Sequence, residues 1–340
     1  MDLNKFKELL SVPTKTYKES KMVDYIISTL EGMEGVTFNR DEHNNIYAVK
    51  GKLGEGEFYP MFISHTDTVH ELVDLIDVKE EYLLRPYTFG KDFGQEQTLC
   101  LKAYDKDGNP TGIGGDDKCG IFICLELLQK LNKVKVAFFV SEETGCHGSK
   151  MVDTEFLKDV AYCVQYDAPG DHLISYSCFG TTLFDIDGKF FKTALSSITR
   201  SFGNEMFVQA HPYTDIMMIK QKSDISCLNM SCGYYNMHTK NEFVCLYDVD
   251  RAIIAGMNLV TDLGLQKYEF KYEPNKPKLQ FDVDFTKEED EDDVTHNLES
   301  IDVIEMASGV IIVDPYDGNE FYIGDDDGLK LYEILRERYG

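Results

Sequence analysis

Seven residues at the ends of apolar runs have the types and spacing to do chemistry. Residues 141–145 read S-E-E-T-G and follow K-V-K-V-A-F-F-V, so Glu142 and Glu143 stand where a buried strand should end. The run F-Y-P-M-F-I-S leads into His65-Thr66-Asp67, and A-Y-C-V-Q-Y leads into Asp167. Asp116 lies in G-I-G-G-D-D-K-C-G, ahead of an apolar-periodic run, and His238 lies in G-Y-Y-N-M-H-T-K-N-E. In open α/β sheets ligands bind outside the carboxyl ends of the strands, so these residues are expected on one rim. Like charges crowded on a rim repel unless neutralised. Asp116, Glu143 and Asp167 bring three negative charges. Two divalent cations and one bridging hydroxide would balance them, and imidazole with carboxylate suits zinc, cobalt or manganese. In His65-x-Asp67 alternate residues share a side, which lets Asp67 orient the imidazole. On an extended segment neighbouring side chains diverge, so Glu143 is expected to face a metal and Glu142 to act as general base toward the water.

These side chains need a sheet to hold them. Residues 2–10 and 18–31 read as amphipathic helices with Pro13 between them, and 44–52, 57–64, 134–141 and 161–166 read as strands. In the run 120–131, Ile121, Cys124, Leu125, Leu128 and Leu131 fall on one helical face. A short helix is expected at 148–157, a strand pair at 173–186, helices at 189–202, 215–221 and 246–264, and strands at 206–210 and 225–231. The stretch 70–110 reads as turn-rich. The expected fold class is α/β: a twisted, mostly parallel mixed sheet with helices on both faces, plus a small C-terminal hairpin and helix. The expected domains are a catalytic domain at 1–265, an acidic linker at 266–300 and a hairpin–helix module at 301–340, with the helix starting near Gly328.

Composition excludes several classes. A net charge of −26 argues against nucleic-acid partners. Residues 268–340 hold 21 acidic against 7 basic residues, more than half of that charge. Nine cysteines without a C-x-x-C pair suggest reduced thiols and a cytoplasmic location. No apolar stretch is long enough to span a membrane, so no membrane partner is expected.

The motifs S-H-T-D-T-V, G-G-D-D-K-C-G, S-E-E-T-G, Y-D-A-P-G and G-Y-Y-N-M-H-T-K-N-E-F-V, in that order, resemble the co-catalytic di-zinc metallopeptidases, a group that includes peptidase T, carboxypeptidase G and the aminoacylases. The resemblance spans roughly residues 1–265 and includes R-D-E-H-N-N-I-Y-A-V as an early strand. It implies two zinc ions per chain: His65 and Asp167 on one, Glu143 and His238 on the other, and Asp116 bridging. It implies that Asp67 orients His65, that Glu142 is the base, and that the Asp116–Asp117 peptide is cis. The implied activity is a peptidase T-like exopeptidase acting on short peptides, an aminopeptidase in preference. Two other readings stay open: an amidase or deacylase of N-acyl amino acids with the same metal site, and an inactive metal-binding scaffold or interaction protein. Only 71 residues separate Asp167 from His238, too few for the lid or dimerisation domain that many members insert there. The lid-mediated dimer is therefore not expected, and Tyr213, Tyr234 and Tyr235 are the local candidates to replace the lid's oxyanion donor. His70, His147, His172 and His211 are read as non-ligands, Cys119 and Cys124 as packing, and Asp215 as a helix cap or a support for the site.

Overall fold

Three strands of continuous apolar sequence form the middle of the molecule: β3 (Tyr59–His65), β6 (Val134–Phe139) and β7 (Val160–Ala168), buried at every position. Strands buried on both faces are what a parallel sheet covered by helices demands. The computed structural model describes residues 1–272 apart from 90, 91 and 212, together with the backbone of 302–306, 309–313 and 320–324. Around the central strands lie β1 (Val36–Arg40), β2 (Ile46–Lys50), β8 (Leu173–Cys178), β9 (Thr181–Thr182), β10 (Phe207–His211) and β11 (Cys227–Ser231). The sheet order is β1-β2-β6-β3-β7-β11-β8-β10, with β9 paired to β8. The pairs β6–β3, β3–β7, β7–β11 and β8–β10 are parallel, while β1–β2, β2–β6 and β11–β8 are antiparallel. The expected mostly parallel mixed sheet is therefore present.

The helices are α1 (Leu3–Leu10), α2 (Ser20–Glu31), α3 (Gly115–Lys130), α4 (His147–Lys150), α5 (Thr154–Leu157), α6 (Lys189–Phe202), α7 (Asp215–Gln221) and α8 (Leu246–Leu263). The single helix expected at 148–157 is two short ones, because Asp153 caps a new start by accepting the Glu155 N–H. Helix α3 is buried from Gly115 to Leu128 on all sides, not along one face. It packs on β3, β6 and β7 and against α1 and α8, while α7 packs on β7, β11 and β3.

The stretch 70–110, read as turns, holds instead two 13-residue strands, β4 (Asp77–Phe89) and β5 (Asp92–Tyr104), paired antiparallel from Asp77↔Tyr104 to Phe89↔Asp92. With β12 (Tyr234–Tyr235) and β13 (Phe243–Cys245) they form a second sheet, ordered β12-β13-β5-β4. Strand β4 is an edge, and Tyr82 and Leu84 are exposed on it. A ribbon half in solvent lacks the apolar run by which a buried strand is recognised.

The chain divides into two units, Met1–Tyr272 and Glu273–Gly340. Residues beyond α8 still belong to the first: the Tyr268 N–H donates to Ala161 O, and its carbonyl accepts from Ser226 N. In the second unit β14 (Asp302–Met306), β15 (Gly309–Val313) and β16 (Glu320–Gly324) make an antiparallel three-stranded sheet. It contains the expected hairpin and one further strand. The helix expected from Gly328 and the acidic run 287–293 lie outside the described residues. All nine cysteines are buried. Among the described residues no helix is long and apolar enough to cross a membrane.

Candidate metal centre

The parallel strands aim their carboxyl ends at one rim. His65 is the last residue of β3, Asp167 is the penultimate residue of β7, and Glu142 and Glu143 follow β6. Asp116 enters from the start of α3, where Asp116 and Asp117 have non-helical backbone and share a cis peptide bond. Gly115 lets this segment press against the second sheet: a Cβ there would lie 2.6 Å from Tyr234 Cβ and 2.8 Å from Val244 Cγ2. His238 follows β12 with φ +61, a left-handed conformation in which histidine is enriched among non-glycine residues.

The rim brings all seven expected residues together. His65 Nε2 lies 3.0 Å from Asp116 Oδ1 and 3.7 Å from Asp167 Oδ1. His238 Nε2 lies 3.2 Å from Asp116 Oδ2 and 3.3 Å from Glu143 Oε2. The two oxygens of Asp116 thus face different histidines, Oδ1 toward His65 and Oδ2 toward His238. Ligand atoms of His65, Asp116 and Glu143 lie within 4.8 Å of one another, as do those of His65, Glu142 and Asp167. The Asp167 carboxylate is held by Thr214, whose hydroxyl donates to Oδ2 at 2.6 Å, by Gln165 at 3.3 Å and by the Tyr234 hydroxyl, 3.3 Å from Oδ1.

Asp67 does more than orient His65. Its Oδ1 is 3.4 Å from His65 Nδ1, which also lies 3.2 Å from the Asp67 carbonyl. Its carboxylate accepts the N–H of Glu142 at 2.9 Å, the N–H of Glu143 at 3.2 Å and the Thr16 hydroxyl at 2.9 Å. The two glutamates are not on an extended segment as expected. Ser141 has φ +54, and the Glu142 carbonyl accepts from Gly145 N and Cys146 N at 2.8 Å each. A tight turn pinned by Asp67, not strand alternation, separates their side chains.

The charge at this rim is unusual for a buried site. Asp67, Asp116, Glu142 and Asp167 are buried, and among the described residues no lysine or arginine pairs with any of these carboxylates or with Glu143. Burial, with Asp116 adding to it, raises the Glu143 carboxyl to about 7, and burial pushes Glu142 well above the usual carboxylate range, with Asp167, Glu143 and Asp215 adding to it. Hydrogen bonds to Asp116 and Glu143 raise His238 to about 11. For His65 burial pulls downward, but its carboxylate partners override it and raise the imidazole well above its ordinary value. Glu143 Oε1 is buried and has no hydrogen-bond partner. An orphaned carboxylate oxygen beside a twice-shared aspartate, with two imidazoles in the set, is a donor arrangement that fits divalent cations of the zinc type.

Residues outside the expected set also shape the rim. Glu242, fully buried, accepts the N–H of Gly114 at 2.8 Å and of Asp116 at 3.0 Å, and pairs with His70 Nε2 at 2.5 Å. It holds the loop that presents Asp116, and His70 is tied to that loop through Glu242. The signal available was its place four residues after His238 in a quoted motif. Asp117 accepts from His65 N at 3.2 Å and Gly120 N at 3.1 Å, tying the end of β3 to α3. Asp215 is fully buried in the first turn of α7 and accepts the Ser149 hydroxyl at 2.5 Å, whereas the cap position is Thr214. Of the tyrosines, Tyr235 donates to Asp248 at 2.8 Å, away from the rim, and the Tyr234 hydroxyl bonds Asp167. Tyr213 is half-buried, and its hydroxyl lies 3.0 Å from where a Cβ on Gly145 would sit, beside the glutamate turn. His172 pairs with Asp171, His147 is exposed at the start of α4, and the His211 Nδ1 is buried without a hydrogen-bond partner.

No protein-family model matches the chain. No curated protein matches it either. Solved structures do. The aminopeptidase PepT from Bacillus cereus superposes with a TM-score of 0.60 at 15% identity, covering 77% of this chain and 97% of that one. A tripeptidase from Staphylococcus aureus gives the same values. An aminopeptidase from the archaeon Desulfurococcus kamchatkensis matches with a TM-score of 0.52 at 14% identity, over 76% of this chain and 97% of that one. At such identities the likeness establishes a shared fold: the first unit has the α/β architecture of these exopeptidases.

Proposed function

We propose that the chain is a di-metal exopeptidase, an aminopeptidase in preference, acting on short peptides. The observation that carries this reading is the split of Asp116, one carboxylate oxygen toward His65, which also neighbours Asp167, and the other toward His238, which also neighbours Glu143. The likeness of the fold to aminopeptidases supports it. His65 and Asp167 would hold one cation, His238 and Glu143 the other, and Asp116 both. Zinc is favoured by the mixed imidazole and carboxylate set, with cobalt and manganese as alternatives. Two such cations supply the positive charge that polarises a scissile carbonyl and makes a water acidic.

The chain's own residues do the rest. Asp67, tied to the turn and to Thr16, fixes both His65 and the glutamate backbone, so the rim is preorganised. Glu142 is buried; among the described residues it is bound neither to lysine nor to arginine, and only the Cys146 thiol, 3.6 Å from its Oε1, donates to its carboxylate. A carboxylate in that position takes a proton from the attacking water and returns it to the leaving amine. Buried surroundings favour the protonated form, which suits the second half of that task.

Two measurements test this reading. Metal analysis on protein purified without chelator is expected to find about two ions per chain, falling when Asp116 becomes Asn. The Glu142→Gln variant is expected to keep its metal while kcat on di- and tripeptides drops by about 10²–10⁴-fold. Unchanged hydrolysis in that variant removes the base assignment, and a chain that takes up no metal removes the reading as a whole.

A further inference from the structure

A second feature lies on the same sheet edge. A cavity of about 360 Å³ is lined by Tyr17, Lys18, Glu19, Arg40, His43 and Ser141, among others. Its place follows from the strand register. Strand β2 runs antiparallel to β6 with Ile46 opposite Phe138, so the turn between β1 and β2 sits where β6 leaves the sheet toward Glu142. The cavity also shares its wall with the candidate metal centre. Glu19 accepts the Ser141 N–H at 3.1 Å and hydroxyl at 2.8 Å, the Thr144 hydroxyl donates to Tyr17 at 2.9 Å, and the Thr16 hydroxyl donates to Asp67 at 2.9 Å. One short segment, 16–19, therefore borders the pocket and braces the acidic turn.

The charge of this pocket is out of character for the chain. Among the described residues the Arg40 guanidinium has one, neutral, partner: Nε and Nη2 donate to Asn44 Oδ1 at 2.9 and 2.5 Å, and Nη1 has no hydrogen bond. Among the described residues neither Arg40 nor Lys18 is in an ion pair, in a protein of net charge −26. The acid in the wall, Glu19, is turned to Ser141 and does not neutralise them.

We propose that this pocket receives the C-terminal carboxylate of the peptide substrate, with Arg40 and Lys18 as its cations; the proposal rests on the peptidase reading for the way the substrate lies. Guanidinium N–H groups left free of acidic partners suit a carboxylate by charge-assisted hydrogen bonds. The distances are compatible. Adjacent strands are about 4.8 Å apart, and β1, which ends at Arg40, lies two places from β6 and three from β3, which puts Arg40 roughly 10–15 Å from the cluster at the ends of β6 and β3. An extended residue spans about 3.4 Å, so about three or four residues beyond the scissile bond bring the terminal carboxylate to the pocket.

The test measures binding apart from turnover. Zinc-loaded Glu142→Gln protein is titrated calorimetrically with pentaalanine and with pentaalanine amide, then again with Arg40→Gln or Lys18→Gln added. The expected result is tighter binding of the acid than of the amide, by about tenfold, with the difference reduced to twofold or less by Arg40→Gln. Equal binding of acid and amide, a preference that survives both substitutions, or no binding of either peptide overturns the pocket. Hydrolysis of both peptides by the wild-type protein is measured alongside. Turnover without discrimination leaves the peptidase reading and removes the pocket. Binding that depends on Arg40 and on the carboxylate, without turnover, leaves the pocket and removes the peptidase reading.

Discussion

Two groups of buried carboxylates lie within the first unit, and they find their counter-charge in different ways. On the β4–β5 ribbon, Arg85 Nη1 lies 2.8 Å from Asp171 and 3.1 Å from Asp248, and Nη2 reaches Glu96. Tyr235 and Asn204 donate to the same aspartates at 2.8 and 2.7 Å. That group has a permanent cation from its own sequence, placed by four elements. At the strand-end rim the counter-charge among the described residues is two imidazoles, and Glu143 Oε1 has no hydrogen-bond partner there. The first arrangement is a structural clamp. The second is short of positive charge in the way a metal site is before its ions are counted. The lesson is that burial of acids alone does not mark a functional site. The source of the opposing charge does.

The sharpest way to break this contrast is to remove the clamp's cation. Arg85→Met is expected to destabilise the protein by about 3–5 kcal/mol, since it strands buried carboxylates, while metal content per folded chain stays unchanged. Urea unfolding with metal analysis reads both, and a loss of metal without a loss of stability would merge the two groups into one. Metal removal probes the other side. Chelation is expected to lower stability by about 2.7 kcal/mol per site relative to protein holding metal at 100 times its dissociation constant, with a matching fall in Tm. The Arg85→Met protein should show the same increment, because the clamp does not use the ions.

The smallest expected effect concerns Asp215, which lies behind the rim. Burial raises its carboxyl to about 7, against hydrogen bonding from Ser149 that lowers it. For an acid whose folded pKa is raised, the contribution to stability is present below its unfolded pKa near 4 and is lost as pH rises through about 7. Thermal midpoints of the chelated protein, measured from pH 4 to 8, should therefore decline less steeply in Asp215→Asn than in the parent. Parallel slopes would place the titration elsewhere.

The strand-end motifs were legible because a parallel sheet enforces their meaning. A buried apolar run must be a strand, its carboxyl end must reach the rim, and so His65, Glu142, Glu143 and Asp167 are placed by local sequence together with one topological rule. The ribbon β4–β5 was not legible, because its residues alternate between a neighbouring sheet and solvent and its partners β12 and β13 come from more than a hundred residues away. The same holds for Glu242 and Arg85, whose partners are backbone groups and carboxylates on distant segments. Even at the rim, the divergence of Glu142 and Glu143 came from a turn tied to Asp67 and not from strand geometry.

By itself, then, the sequence determined the residue types, their order and the edge on which they meet, since hydrophobic periodicity and strand polarity are local properties. Only the tertiary structure decided which oxygen of Asp116 faces which histidine, which buried acids have a built-in cation, and that Arg40, outside any ion pair among the described residues, ends β1 on the same sheet edge. Those are matters of a few ångströms between segments far apart in the chain, and no local pattern encodes them.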